Sequence, residues 1–108
     1  MIHELRRYRV MPGRMADLLN RFDTVTLELF DKHGIRQVGF WTTEIGESNH
    51  NLIYMLAWES MAERETKWAA FAADPRWASA RSESEQNGQL IETISSQFLK
   101  PTKFSATR

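Results

Sequence analysis

Histidine is the residue best suited to proton transfer or metal ligation near neutral pH, and this chain has His3, His33 and His50. They fall at a strand start, a helix end and a turn, with no H-x-H or H-E-x-x-H spacing, so no metal site is predicted. His33 is the one candidate for catalysis. It stands beside Gly34, where a helix meets a sheet, placed to act as an acid or base. Nucleophilic chemistry has less support: serines are plentiful, but none sits in a G-x-S-x-G elbow. The chain has no cysteine, which removes a thiol nucleophile, thiolate ligands and disulfides. Its five glycines mark turns and helix ends rather than a P-loop or a dinucleotide-binding pattern. No cofactor is predicted.

Aromatic residues in strands are usually core. Tyr8, Trp41, Tyr54 and Trp58 also qualify as candidates to line a ligand pocket, since pockets are mostly apolar with a few polar groups. Between paired sheets, the Tyr54 hydroxyl and the Trp41 indole N–H would orient a flat apolar ligand. Trp68, Phe71 and Trp77 lie on helical segments and read as helix–sheet packing. Arg7 and Arg9 share one strand face and Arg6 lies on the other. An arginine turned inward would need Glu44, Glu92 or an anionic ligand, because an unpaired buried charge is costly.

The elements that must position these residues follow from hydrophobic period. Residues 2–11 read as a strand with Ile2, Tyr8 and Val10 on one face, broken by Pro12-Gly13. Residues 14–33 read as a helix, with Met15, Leu18, Leu19, Phe22, Val25, Thr26, Leu29 and Phe30 on one stripe. Asp17, Arg21, Glu28 and Lys32 fall on its other side, and Gly34 closes it. Residues 34–59 make a strand–turn–strand hairpin. Ile35, Gly39, Trp41 and Ile45 are expected on one face and Val38 and Phe40 on the opposite one. Leu52–Trp58 is apolar on both faces, as expected of a strand covered on both sides. Ser60 and Glu63 form a capping box that starts a second helix at Met61. Asp74-Pro75 interrupts that helix and restarts it, Asp74 serving as N-cap. Gln86-Asn87-Gly88 is a turn, and residues 89–99 form the last strand.

The order β-α-β-β-α-β predicts an α+β, ferredoxin-like sandwich: a four-stranded antiparallel sheet with helices on one face, over residues 1–99. Residues 100–108 form a polar tail. The two-faced strands leave an apolar sheet face that a monomer does not usually expose. A homodimer that closes two such faces into an α+β barrel is therefore expected.

Composition bounds the partners. The chain has 108 residues, 42% of them hydrophobic, and 14 basic against 14 acidic side chains. That is one domain with a real core and no basic excess of the kind nucleic acids or anionic membranes attract. No signal sequence and no membrane span is apparent, so a cytoplasmic protein is expected.

An ordered series of residues spans about residues 3–80: Glu4-Leu5-Arg6 with Tyr8, Pro12-Gly13, His33-Gly34, Gly39-Phe40-Trp41, Glu44 with Gly46, Trp58-Glu59-Ser60, Arg64, and Asp74-Pro75 with Trp77. It resembles the NIPSNAP domain, which belongs with the dimeric α+β barrels. Those relatives include cofactor-independent antibiotic-biosynthesis monooxygenases and haem-degrading oxygenases. The resemblance implies the same barrel and a homodimer, and it implies little chemistry; with Glu4-Leu5-Arg6 a feature of the family, it also implies a structural Arg6, paired with Glu4 or a residue of the second helix. Haem degradation would need an axial histidine in the second helix; residues 61–73 contain none. The expected function is binding of a small apolar or aromatic molecule, with cofactor-independent monooxygenation as the alternative.

Overall fold

The computed structural model describes residues 1–108. Its elements are β1 (Ile2–Val10), α1 (residues 15–32), β2 (Arg36–Thr42), β3 (Asn51–Trp58), α2 (Met61–Ala72), α3 (Pro75–Ser84) and β4 (Ile91–Leu99). The sheet order is β2-β3-β1-β4 and every pair is antiparallel. This is the expected ferredoxin-like α+β sandwich, with the second helix split in two. No helix is long and apolar enough to cross a membrane.

The split at Asp74 is chemical in origin. Pro75 has no N–H to continue the preceding helix, so the chain breaks there and proline serves as the first residue of α3. The Asp74 side chain accepts from the Arg76 N–H at 2.9 Å, satisfying one of the donors a helix start leaves free. Ser60 does the same for α2, accepting from the Glu63 N–H at 3.1 Å. The returning Glu63 carboxylate accepts from the Glu59 N–H, one residue short of the usual capping-box partner.

Tyr8, Val10, Leu52, Tyr54, Leu56 and Trp58 face the helices and form one core with Leu18, Phe22, Leu29, Phe30 and Phe71. Ile35 joins this core, which corrects the expected grouping with Gly39 and Trp41. The pairing of β2 with β3 shifts between Gln37 and Gly39, leaving Val38 without an opposite residue. One extra residue reverses the facing of everything before it. Ile35 therefore turns toward the helices, while Gly39 and Trp41 turn to the open face. Ile45 belongs to neither; it sits in the β2–β3 connection, 94% exposed.

Helix α1 holds a second irregularity. Met15–Arg21 and Leu27–Lys32 are α-helical, but Phe22–Thr26 is a π-helical turn, closed by the Leu27 N–H donating to the Phe22 carbonyl. The Thr26 hydroxyl donates to the Arg21 carbonyl at 3.3 Å across the same turn. π-turns are rare and concentrate at functional sites.

Candidate functional site

The candidate catalytic His33 ends α1 and is mostly buried. Its Nε2 lies 2.8 Å from Asp74 Oδ2, and Lys32 Nζ donates to the same oxygen at 2.9 Å. His33 thus braces the end of α1 against the N-cap of α3. It lines none of the cavity described below. Lys32, His33 and the Arg76 N–H together hold the Asp74 carboxyl well below the usual carboxylate range. A depressed folded-state value contributes stability above the unfolded value and loses it as pH falls. Asp74→Asn keeps the N-cap acceptor for the Arg76 N–H and replaces the charged oxygen that Lys32 and His33 share with an amide NH2, which cannot accept from them. Its melting temperature is expected below wild type at pH 6, with the gap closing below about pH 4; equal melting temperatures at pH 6 would refute the brace.

His3 is buried on the open face, in a hollow shared with Pro101, Ser105 and Thr107. His50 precedes β3, and its carbonyl accepts from the Val10 N–H at 2.7 Å. No group of three or more side chains of metal-ligating type comes together.

The four aromatic candidates do not form one site. The sheet separates them. Trp41 is on the open face, 51% exposed, its ring lying where a side chain on Gly39 would be. Tyr8, Tyr54 and Trp58 are buried beneath the helices. Trp58 Nε1 donates to Glu4 Oε1 at 3.0 Å. Of the four, only Tyr8 lines the main cavity.

That cavity has a volume of about 760 Å³ and lies between the helices and the β1–β4 half of the sheet. Here β4 is poorly covered: Ile94, on the helix side opposite Tyr8, is 52% exposed. The pairing of β4 with β1 shifts between Arg9 and Val10, so Glu92 lacks an opposite residue. Ile91 and Ile94, three apart, consequently both face the cavity. Phe22 and Phe30 from α1, Trp68 and Phe71 from α2, and Trp77 from α3 supply the apolar walls.

The cavity floor is polar and tightly bonded. Arg6 Nε donates to the Tyr54 hydroxyl at 2.7 Å, and the Tyr8 and Tyr54 hydroxyls are 2.8 Å apart. Arg6 Nη1 donates to Glu4 Oε2 at 2.8 Å, the partner expected from sequence. The guanidinium also lies 4.5 Å from the Trp68 ring centroid, a cation–π distance. Glu4 is fully buried and accepts from Trp58, Arg64, Arg6 and Ser96. Burial works against the Glu4 charge, yet hydrogen bonds from Arg64, Ser96 and Arg6 outweigh it and hold the carboxyl below its ordinary value. One carboxylate thus faces two guanidiniums, and the cluster keeps an excess positive charge. Tyr54 titrates well above a free phenol, first because it is buried.

Arg21 corrects the sequence reading. Expected on the solvent side of α1, it is 5% exposed, whereas Leu19, expected inside, is 39% exposed. Helix α3 covers that flank of α1: the Arg21 guanidinium lies 5.0 Å from the Trp77 ring centroid, and Nη1 donates to Ser84 Oγ at 3.1 Å. The 3.6-residue period assigns faces on an isolated helix and carries no information about a neighbour packed on its side. Arg21 lines the cavity, and its Nε, buried, has no hydrogen-bond partner.

This sheet order, with helices on one face, is accompanied by a family match over residues 3–106 to NIPSNAP. The chain belongs to the NIPSNAP family. Among solved structures, a NIPSNAP family protein of unknown function from Agrobacterium tumefaciens is 30% identical, with TM-score 0.87 over 100% of this chain and 94% of that one. An uncharacterized NIPSNAP domain protein from Burkholderia xenovorans is 25% identical, with TM-score 0.83 over 97% and 98% of the two chains. A putative antibiotic biosynthesis monooxygenase from Nitrosomonas europaea shares the fold alone, at 8% identity and TM-score 0.64 over 94% and 98%. Comparison with curated proteins finds no match. The NIPSNAP match reaches past β4 into the C-terminal residues, beyond the stretch the sequence motifs span.

Proposed function

We propose that this NIPSNAP protein is a homodimer that binds a small apolar or aromatic molecule in the cavity between its helices and the β1–β4 half of its sheet. The observation that carries the reading is the cavity. It falls within the 300–1,000 Å³ typical of ligand sites, at about 760 Å³, and its aromatic walls stand over a small polar floor. The site lies on the opposite side of the sheet from the inter-sheet pocket expected from sequence. Dimerisation draws support from the open face, where Leu5, Ile53 and Met55 are only partly buried and Trp41 is exposed. A second copy seated there would remove that apolar surface from water.

Monooxygenation is the second reading, favoured by Tyr8 on the cavity wall, whose hydroxyl is 2.8 Å from that of the buried Tyr54. A phenolic ring hydrogen-bonded to Tyr8 would still need a base for its oxidation by oxygen. Tyr54, pushed up by burial, stays a neutral donor at physiological pH. Binding is therefore the better-supported reading.

Native mass spectrometry of protein purified without added ligand tests both halves. A dimer carrying mass that denaturation releases is the expected result. A monomer would refute the dimer. A dimer that neither carries mass nor takes up any aromatic compound would refute the binding site. Oxygen uptake on adding a phenol would transfer the assignment to the oxygenase.

A further inference from the structure

We propose that the ligand is an aromatic carboxylate, its ring packed among Phe22, Phe30 and Trp77 and its carboxylate bound by Arg21. This rests on the cavity being a ligand site, as argued above. What it adds is the charge.

Three observations converge on Arg21. First, the guanidinium is 5% exposed and makes no ion pair, while other charged residues of the cavity wall are paired or neutralised. Arg6 is bonded to Glu4 at 2.8 Å, Glu92 pairs with Arg9 at 3.3 Å, and Glu85 lies 3.9 Å from Arg81. Glu85 is the acidic side chain whose field acts most on Arg21, yet it forms no hydrogen bond to it. Second, Nη1 is engaged by Ser84 Oγ, and Nε is buried without a partner. The edge left free is the Nε–Nη2 fork, whose two parallel N–H groups match the two oxygens of a carboxylate. Arg21 is among the residues lining the cavity, so a rotation of the guanidinium would bring that edge to a bound carboxylate. Third, the π-turn at Phe22–Thr26 begins right after Arg21. Its altered winding sets Arg21, Phe22 and Thr26 together on the cavity wall.

Leaving a buried cationic donor unsatisfied is costly. A carboxylate supplies the missing acceptor, and the excess positive charge of the Glu4–Arg6–Arg64 cluster favours an anion nearby. The Trp77 ring lies 5.0 Å from the guanidinium, within cation–π range, and with Ser84 keeps the side chain at the cavity wall before any ligand arrives.

The test is a matched pair of probes, 2-naphthoate and 2-naphthalenemethanol, titrated into the full chain at pH 7 by calorimetry. The carboxylate is expected to bind about tenfold tighter or more. In Arg21→Gln that preference should vanish through loss of carboxylate affinity, with the alcohol changed by less than about twofold. In wild-type protein the Arg21 Nε–Hε resonance should move on adding 2-naphthoate and stay in place with the alcohol; this readout does not depend on the variant folding. Equal affinities, or an unmoved Arg21 resonance, would overturn the anionic ligand while leaving the binding site intact. No binding of either probe would overturn both.

Discussion

Replacing Glu4 with alanine is expected to lower the unfolding free energy by about 3–5 kcal/mol, the range for removing one partner of a buried ion pair. Glu4 is fully enclosed, and Arg6, Arg64, Ser96 and the Trp58 indole all donate to it. Without the carboxylate, two guanidiniums remain near one another with no counter-charge, and the Trp58 N–H loses its acceptor. Arg6 is the more severe case, being 7% exposed. Denaturant unfolding measures the loss, and a change under about 1 kcal/mol would show the carboxylate to be replaceable by water. Substituting Glu4→Leu together with Arg6→Met should be milder than Glu4→Ala alone, since it removes the more buried guanidinium along with its counter-charge and leaves only Arg64, whose side chain is 22% exposed, to turn to water. The pH dependence has a definite sign. Because the folded-state value of Glu4 lies below 4.5, its contribution is present above that pH and declines as pH falls through the folded value.

Trp58→Ala is expected to be comparably severe, about 3–5 kcal/mol, as for other buried Phe or Trp truncations. Trp58 is fully buried at the end of β3, and residues of that size leave a cavity that surrounding helices fill only in part. Trp58→Phe isolates the polar contribution. It keeps a ring in place but removes the donor to Glu4, so about 1–3 kcal/mol should be lost. Thermal and denaturant melts read both variants. Trp58 also separates fold from function. It was a pocket candidate by residue type, yet the structure gives its indole to Glu4 rather than to the cavity. Trp58→Phe should therefore leave aromatic ligand affinity unchanged, and weakened binding would return Trp58 to the site.

Most of the architecture was written in the chain's periodicity. The 3.6-residue stripe of α1, the Ser60 cap, the Asp74-Pro75 restart and the two-faced apolar run of β3 are local signals. Each depends on residues a few positions apart, so each is legible without knowing what packs on it. The family series, from Glu4-Leu5-Arg6 to Trp77, is legible for the same reason.

The site was not legible, and particular residues show why. Two register shifts, at Val38 and at Glu92, turn side chains to faces that strict alternation denies them. Bulges arise from how a strand meets its partner, which no single strand specifies. The π-turn after Arg21 and the docking of α3 bury a residue whose type and helical position both point outward. A charged residue in an amphipathic helix reads as solvent-facing until a neighbour covers it. For an arginine turned inward from β1 the sequence offers two outcomes, an anionic ligand or an acidic partner, and Arg6 has the partner, Glu4. The residue left wanting is Arg21. Sequence determined the sheet, the helices and their caps, because those rest on short-range geometry. Which guanidinium is buried beside the cavity without a partner was decided only by the packing of α3 on α1.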